Sequence, residues 1–287
     1  MVLESITTPE KAESRPWDMF FIGAMYAAIA VFLAIWIFKE QSSIVMVLLT
    51  VIACIPLLYN TLKYEEQKSD YIVKESILLK EHSRALSFFV FLFVGFVVAY
   101  SIAYIILPSD LVQVLFSAQS STINQINTRI SGSTITTFSA GAQLFMQILG
   151  NNLKVLLFSL FFSFFYGAGS IFVLTWNASV ISAAIGNFFR TRIGDYAATV
   201  GLAHVGSYLQ VYGISITRYF IHGIPEILGY YVGALAGGII SVAIIKHDFG
   251  SLEFRHVLRD SVDLVVLAVG ILIFAAIIEV YITPLLY

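Results

Sequence analysis

YAATVGLAHVGSYLQVYGISITRYFI, residues 196–221, decides how often this chain crosses a membrane. The segment is long enough to span, yet Gly, Ser, His204 and Arg218 interrupt its apolar residues. Six other runs are clearer: 17–38, 43–62, 86–107, 153–176, 225–245 and 262–283. Each approaches or exceeds the roughly 20 apolar residues needed to cross about 30 Å of hydrocarbon.

Composition sets the class in which that question arises. Hydrophobic residues make up 59% of the chain and charged residues 12%, with a mean hydropathy of +0.87. A soluble domain carries about a quarter charged residues. The expected fold is therefore all-α, a polytopic transmembrane helix bundle of about seven spans, with the lipid bilayer as its first partner. A net charge of −2 without a basic cluster gives no reason to expect nucleic acid. The single cysteine, Cys54, lies inside an apolar run, so neither a disulfide nor a thiolate zinc cluster is available. The first run is too long for a signal peptide, its start is acidic (Glu4, Glu10, Glu13), and no small-residue cleavage site follows; it reads as an anchor that stays.

Lysine and arginine give the orientation. The connection 63–85 holds Lys63, Lys68, Lys74, Lys80 and Arg84, whereas 108–152 holds only Arg129. The positive-inside rule makes the former cytoplasmic and puts the N-terminus inside. Arg190 and Arg192 after the fourth run, and Lys246, Arg255 and Arg259 before the last, can both be cytoplasmic only if 196–221 crosses. The expectation is then seven spans in the cell membrane with the C-terminus outside.

Two units follow. Residues 1–85 form a transmembrane hairpin with an amphipathic cytoplasmic connection, and residues 86–287 form a five-span domain with an outer polar segment at 108–152. The connection mixes both signs of charge with Tyr71, Ile72, Ile77, Leu78 and Leu79, the pattern of a helix lying in the interface. The nearly uncharged outer segment reads either as a flexible linker or as a folded cap.

That topology gathers the polar residues. In FIHGIPEILGYYVGALAGG, residues 220–238, His222 and Glu226 stand four apart. With Glu279, Asn151 and Asn152 they fall in one layer near the outer face, a candidate binding layer. Charges inside a membrane segment are costly and face a cavity or a partner. Pro225 suits a first helical position and Glu226 the positive end of a helix dipole, so HGIPE reads as a turn before a helix start. If the helix continues instead, the spacing puts His222 and Glu226 on one face. Gly229, Gly233 and Gly237 lie on the face of Glu226 and permit close approach of a neighbouring helix.

At these residues the sequence resembles the stage II sporulation protein M family. The resemblance rests on Asn151 and Asn152, on Gly167 and Gly169 of YGAGS, and on Asn177 of LTWNAS. It continues through His222, Gly223, Pro225 and Glu226 and ends in IEVYITP with Glu279. It covers residues from about 86 to the C-terminus and implies a five-span core. Ala178 stands where the family usually has glycine, and the first two spans are additional.

Three functions are consistent with these residues. The resemblance implies a non-enzymatic scaffold or assembly factor with protein partners or self-association, as the family's best-known member holds cell-wall hydrolases at a septum. A transporter or channel would use His222, Glu226 and Glu279 as a polar site beside an interrupted helix. An intramembrane hydrolase would use the same three as metal ligands, although no His-Glu-x-x-His pattern and no paired nucleophile accompany them. No cofactor and no transported species is implied by any motif.

Overall fold

The computed structural model describes residues 14–71, 75–131, 138–163, 168–200, 205–246 and 251–283. Among these, every regular element is helical, and seven helices contain windows long and apolar enough to cross a membrane. Hydrocarbon offers the backbone no hydrogen-bond partner, so such runs must form helices that satisfy their own amides. In chain order the helices are α1 (Trp17–Ile37), α2 (Ser42–Tyr71), α3 (Glu75–Ile106), α4 (Ser109–Leu115), α5 (Ser117–Ser131), α6 (Phe138–Ser163), α7 (Ala168–Val200), α8 (Val205–Lys246) and α9 (Leu252–Ile277). A 3₁₀ turn at Lys39–Gln41 joins α1 to α2, and α9 ends in a π turn at Ile278–Ile282.

The expected count of seven spans holds, but its members change. Run 153–176 is two helices, because α6 ends at Ser163 and α7 begins at Ala168. Both flanks of that break are apolar, so hydropathy alone does not reveal it. Segment 196–221 is not a span of its own: 196–200 end α7 and 205–221 begin α8, a single helix of 42 residues. The connection 63–85 is not a separate interfacial helix either. Where it is described, it continues α2 as far as Tyr71 and starts α3 at Glu75.

Two contacts fix which helix ends share a face. Arg190 of α7 donates to Tyr104 O (3.3 Å), Leu107 O (3.0 Å) and Ser109 Oγ (3.2 Å), so α7 passes the end of α3 there. The guanidinium fork thus satisfies carbonyls that α3 leaves free at its C-terminus. At the other face, a Cβ on Gly238 of α8 would lie 2.5 Å from Leu62 Cδ2, near the end of α2. Arg190 therefore lies on the face opposite Lys63, which corrects its expected place; Lys246 and the start of α9 stay with Lys63.

Close packing binds the N-terminal hairpin to the rest. On α1 the small residues Gly23, Ala27, Ala30 and Ala34 are buried, while Trp17, Phe21, Phe32 and Trp36 are exposed. Small residues inward and large ones toward lipid are what helix association in a bilayer requires. A Cβ on Gly23 would stand 2.5 Å from Leu92 O, and one on Gly95 would strike Phe20 O and Ala24 N. The two backbones lock into each other at these glycines.

A buried amide closes the opposite end. Gln119 of α5 is fully buried. Its Oε1 accepts from Ser43 Oγ (2.8 Å), and its Nε2 donates to Ser43 O (3.3 Å) and Ser179 Oγ (3.1 Å). Ser43 Oγ in turn accepts from Ala118 N. This network draws α2, α5 and α7 together, so residues 109–131 form a folded cap and not a flexible linker.

Two outcomes test this architecture. Gly23→Leu should destabilise the bundle by about 1–3 kcal/mol through overpacking, whereas Gly270→Leu, with open space at its Cβ, should stay within about 0.5 kcal/mol of the parent; unfolding in detergent measures both. Since Cys54 is buried, single surface cysteines report topology. Ser109→Cys and Thr191→Cys should react with an impermeant reagent from one side, the outside, and Lys63→Cys from the other. Labelling of Thr191→Cys together with Lys63→Cys would contradict the Arg190 contacts.

Candidate functional site

α8 runs unbroken through HGIPE, so the turn reading gives way to the continuous-helix one. Pro225 sits inside the helix. Its missing N–H leaves the Ile221 carbonyl without the usual backbone donor. Glu226 is consequently not at a helix start, and no helix dipole holds its charge. Its partner lies one turn further along: Tyr230 donates its hydroxyl to Glu226 Oε1 at 2.6 Å. The spacing of four places both side chains on one face.

Tyr230 also reaches across to α6. Its hydroxyl lies 3.2 Å from Asn152 Oδ1, and Asn152 is 3% exposed with its Nδ2 unpartnered. A phenol carries a single proton, and the shorter contact to the carboxylate claims it. Turning the Asn152 amide over lets its NH₂ donate to the Tyr230 oxygen, and the amide oxygen is then the atom left over. In either orientation one buried amide atom lacks a partner.

Glu279 stands past the end of α9. It lies in the π turn, where Thr283 Oγ1 donates to Ile278 O at 3.1 Å. π turns inside α-helices are frequent at functional sites because the extra residue re-aims the side chains around it. The π turn packs on both α6 and α8, the helices that carry Asn152, Glu226 and Tyr230. Beside Tyr230 a cavity of about 10 Å³, the least a water molecule needs, is lined by Asn177, Tyr231, Ile227, Val173 and Leu174.

Close helix approach sets the position of the cluster. A Cβ on Gly229 would lie 2.7 Å from Leu272 Cδ2, and one on Gly233 would strike Leu156 Cδ1. Gly237 is buried as well. The glycine face thus packs against α9 and α6 of the same chain. Gly169 packs against Phe162, where α7 meets α6, and Gly167 lies outside the described residues.

The sequence-predicted layer is only partly assembled. The structure joins Glu226 and Asn152 through Tyr230, while Glu279 lies in the π turn that packs on their helices. Asn151 is exposed and faces away, and both asparagines lie inside α6, whose apolar window already begins at Gly141, instead of preceding a helix. The helix extends further back because 138–150 alternates apolar residues with glutamines that do not stop it. His222 belongs to α8, but its side chain lies outside the described residues. Tyr230 was missed, although its i+4 spacing from Glu226 was a legible signal. Among the described residues no group of three or more His, Cys, Asp or Glu is arranged to hold a metal.

The same helix α6 carries a second feature. Gln143, Gln147, Asn151 and Lys154 are all exposed within its apolar window. Positions four, eight and eleven residues apart fall in one narrow arc of a helix. The stripe thus turns polar groups toward the surroundings of the bundle.

Comparison with protein families finds a match to the model described as stage II sporulation protein M over residues 85–284. Comparison with curated proteins and with solved structures yields no match.

Tyr230→Phe should lower unfolding free energy by about 1–3 kcal/mol, since it leaves the buried Asn152 and the half-buried Glu226 short of a partner. Glu226→Ala should cost more than Glu226→Gln, which keeps an acceptor for the phenol. Denaturant unfolding of the purified variants distinguishes them, and equal losses would show that charge, not the acceptor, is what Tyr230 holds.

Proposed function

The chain belongs to the stage II sporulation protein M family, and from that premise we propose that it is a non-enzymatic scaffold or assembly factor of the membrane, with α6 as its docking face. The observation that carries this reading is the stripe Gln143, Gln147, Asn151 and Lys154, exposed along a membrane-spanning window. Lipid tails cannot accept or donate the hydrogen bonds these side chains need, so polar residues at that depth face a partner or water. A neighbouring protein helix meets the need when it presents a carboxylate to Lys154 and amides or hydroxyls to the other three.

Transport would ask for a wet path through the polar layer. Tyr230 instead ties Glu226 to its own helix, and the cavity beside Tyr230 admits about one water molecule. The packing of the glycine face within the chain supports a rigid platform of this kind.

Photo-crosslinking residues placed at Gln147 and Lys154, with Phe274 as a lipid-facing control, test the reading in native membranes. We expect adducts to a second protein chain at the first two positions and lipid adducts alone at the third. Lipid adducts at all three, together with ion flux in reconstituted vesicles that Glu226→Gln abolishes, would replace the scaffold with a transporter.

A further inference from the structure

α6 is the least covered of the spans: 17% of its apolar window is buried inside the bundle, against 33–67% for the other six. On its open side the side chains of Gln143, Gln147, Asn151 and Lys154 make no hydrogen bond or ion pair with any described residue. Lys154 lies deep. The nearer end of the window, Phe162, is eight residues on, about 12 Å along the helix. A lysine close to a helix end extends its stem to the headgroups, but from this depth the stem falls short. Gly150, four residues earlier and so on the same face, has nothing within 4 Å of where its Cβ would stand. A neighbouring backbone can therefore come close beside the ammonium.

On the premise that α6 is a docking face, we propose that it takes a membrane-spanning helix of a different protein, not a second copy of this chain, and that Lys154 selects that helix by pairing with one Asp or Glu at its own depth. Two copies inserted in the same orientation meet symmetrically on α6 only about a two-fold axis normal to the membrane, which sets each residue against its twin. Gln143, Gln147 and Asn151 tolerate this, because an amide both donates and accepts. Lys154 does not, since it brings two ammonium groups together where the dielectric is low. A different face of a second copy serves no better. Asp263 is an exposed acid within the window of α9. Gly233 touches both Leu156 and Ala268, which puts those two at one level. Asp263 lies toward the inner face from that level and Lys154 toward the outer, about 10 Å apart in depth. The selected helix should carry its acid with amide or hydroxyl residues three, seven and eleven positions away. They precede the acid in a helix parallel to α6 and follow it in an antiparallel one.

The test uses the full-length protein in phosphatidylcholine vesicles, donor-labelled at Ser109→Cys. Acceptor-labelled synthetic Leu/Ala helices carry Gln at the three matching positions and Glu, Leu or Lys at the fourth. Energy transfer should show the Glu helix binding at least about tenfold more tightly than the Leu helix, with the Lys helix weakest. Lys154→Gln should remove that preference while leaving the unfolding midpoint within about 2 °C of the parent, and Lys154→Glu should turn it toward the Lys helix. Equal binding of the three helices, or a Glu preference that persists in Lys154→Glu, would overturn the proposal. Energy transfer between differently labelled copies that Lys154→Gln or Asp263→Asn abolishes would overturn it too. Equal binding alongside protein adducts at Gln147 and Lys154 would remove charge selection and keep docking, whereas lipid adducts alone would remove both.

Discussion

Polar side chains inside hydrocarbon must find their hydrogen-bond partners on other helices, and the bundle is organised around the few places where they do. Tyr230 is the central one. Its proton goes to Glu226, its oxygen lies beside Asn152, and its ring borders the small cavity shared with Asn177. For these contacts to form, α8 must approach α6 and α9 closely, which Gly229 and Gly233 permit. Steric freedom at the glycines and chemical need at the tyrosine are therefore two aspects of one arrangement.

The N-terminal hairpin is tied in by different means. The family match begins at residue 85, so α1 and α2 lie outside it. Even so, α1 meets α3 with backbone against backbone at Gly23 and Gly95, and Thr50 of α2 bonds Tyr100 of α3 at 2.7 Å. Gln119 adds a further link between α2 and the α5 cap. The hairpin is thus an integral wall of the bundle, not an appended anchor.

What the sequence disclosed follows the range of the forces involved. Local patterns were legible: five of the apolar runs mark spans, the count of seven holding because 153–176 divides between two helices while 196–221 adds none, and small residues at helical spacing gave the packed face of α8. Breaks without a polar signal were not, and residues 153–176 concealed the passage from α6 to α7 because its two sides are equally apolar. Pro225 misled for a related reason, since a proline is equally at home at a helix start and, at a cost, within one. Contacts distant in sequence were beyond reach. Gln119 looks like one more polar residue of a linker until Ser43 and Ser179 arrive beside it, and Arg190 looks like an inward-facing charge until the end of α3 takes its protons.

The length of α8 has a mechanical consequence. At about 1.5 Å per residue its 42 residues extend some 63 Å, roughly twice the hydrocarbon thickness. The portion before the span, 205–222, accounts for about 27 Å of that rod. A continuous rod cannot be tilted at one end while the other stays still unless it bends, and the place of least resistance is Pro225, where a backbone bond is missing. Glu226 is the next residue. A sideways load applied near Val205 would thus be delivered, as by a lever with its fulcrum at the membrane surface, to the contact between Glu226 and Tyr230.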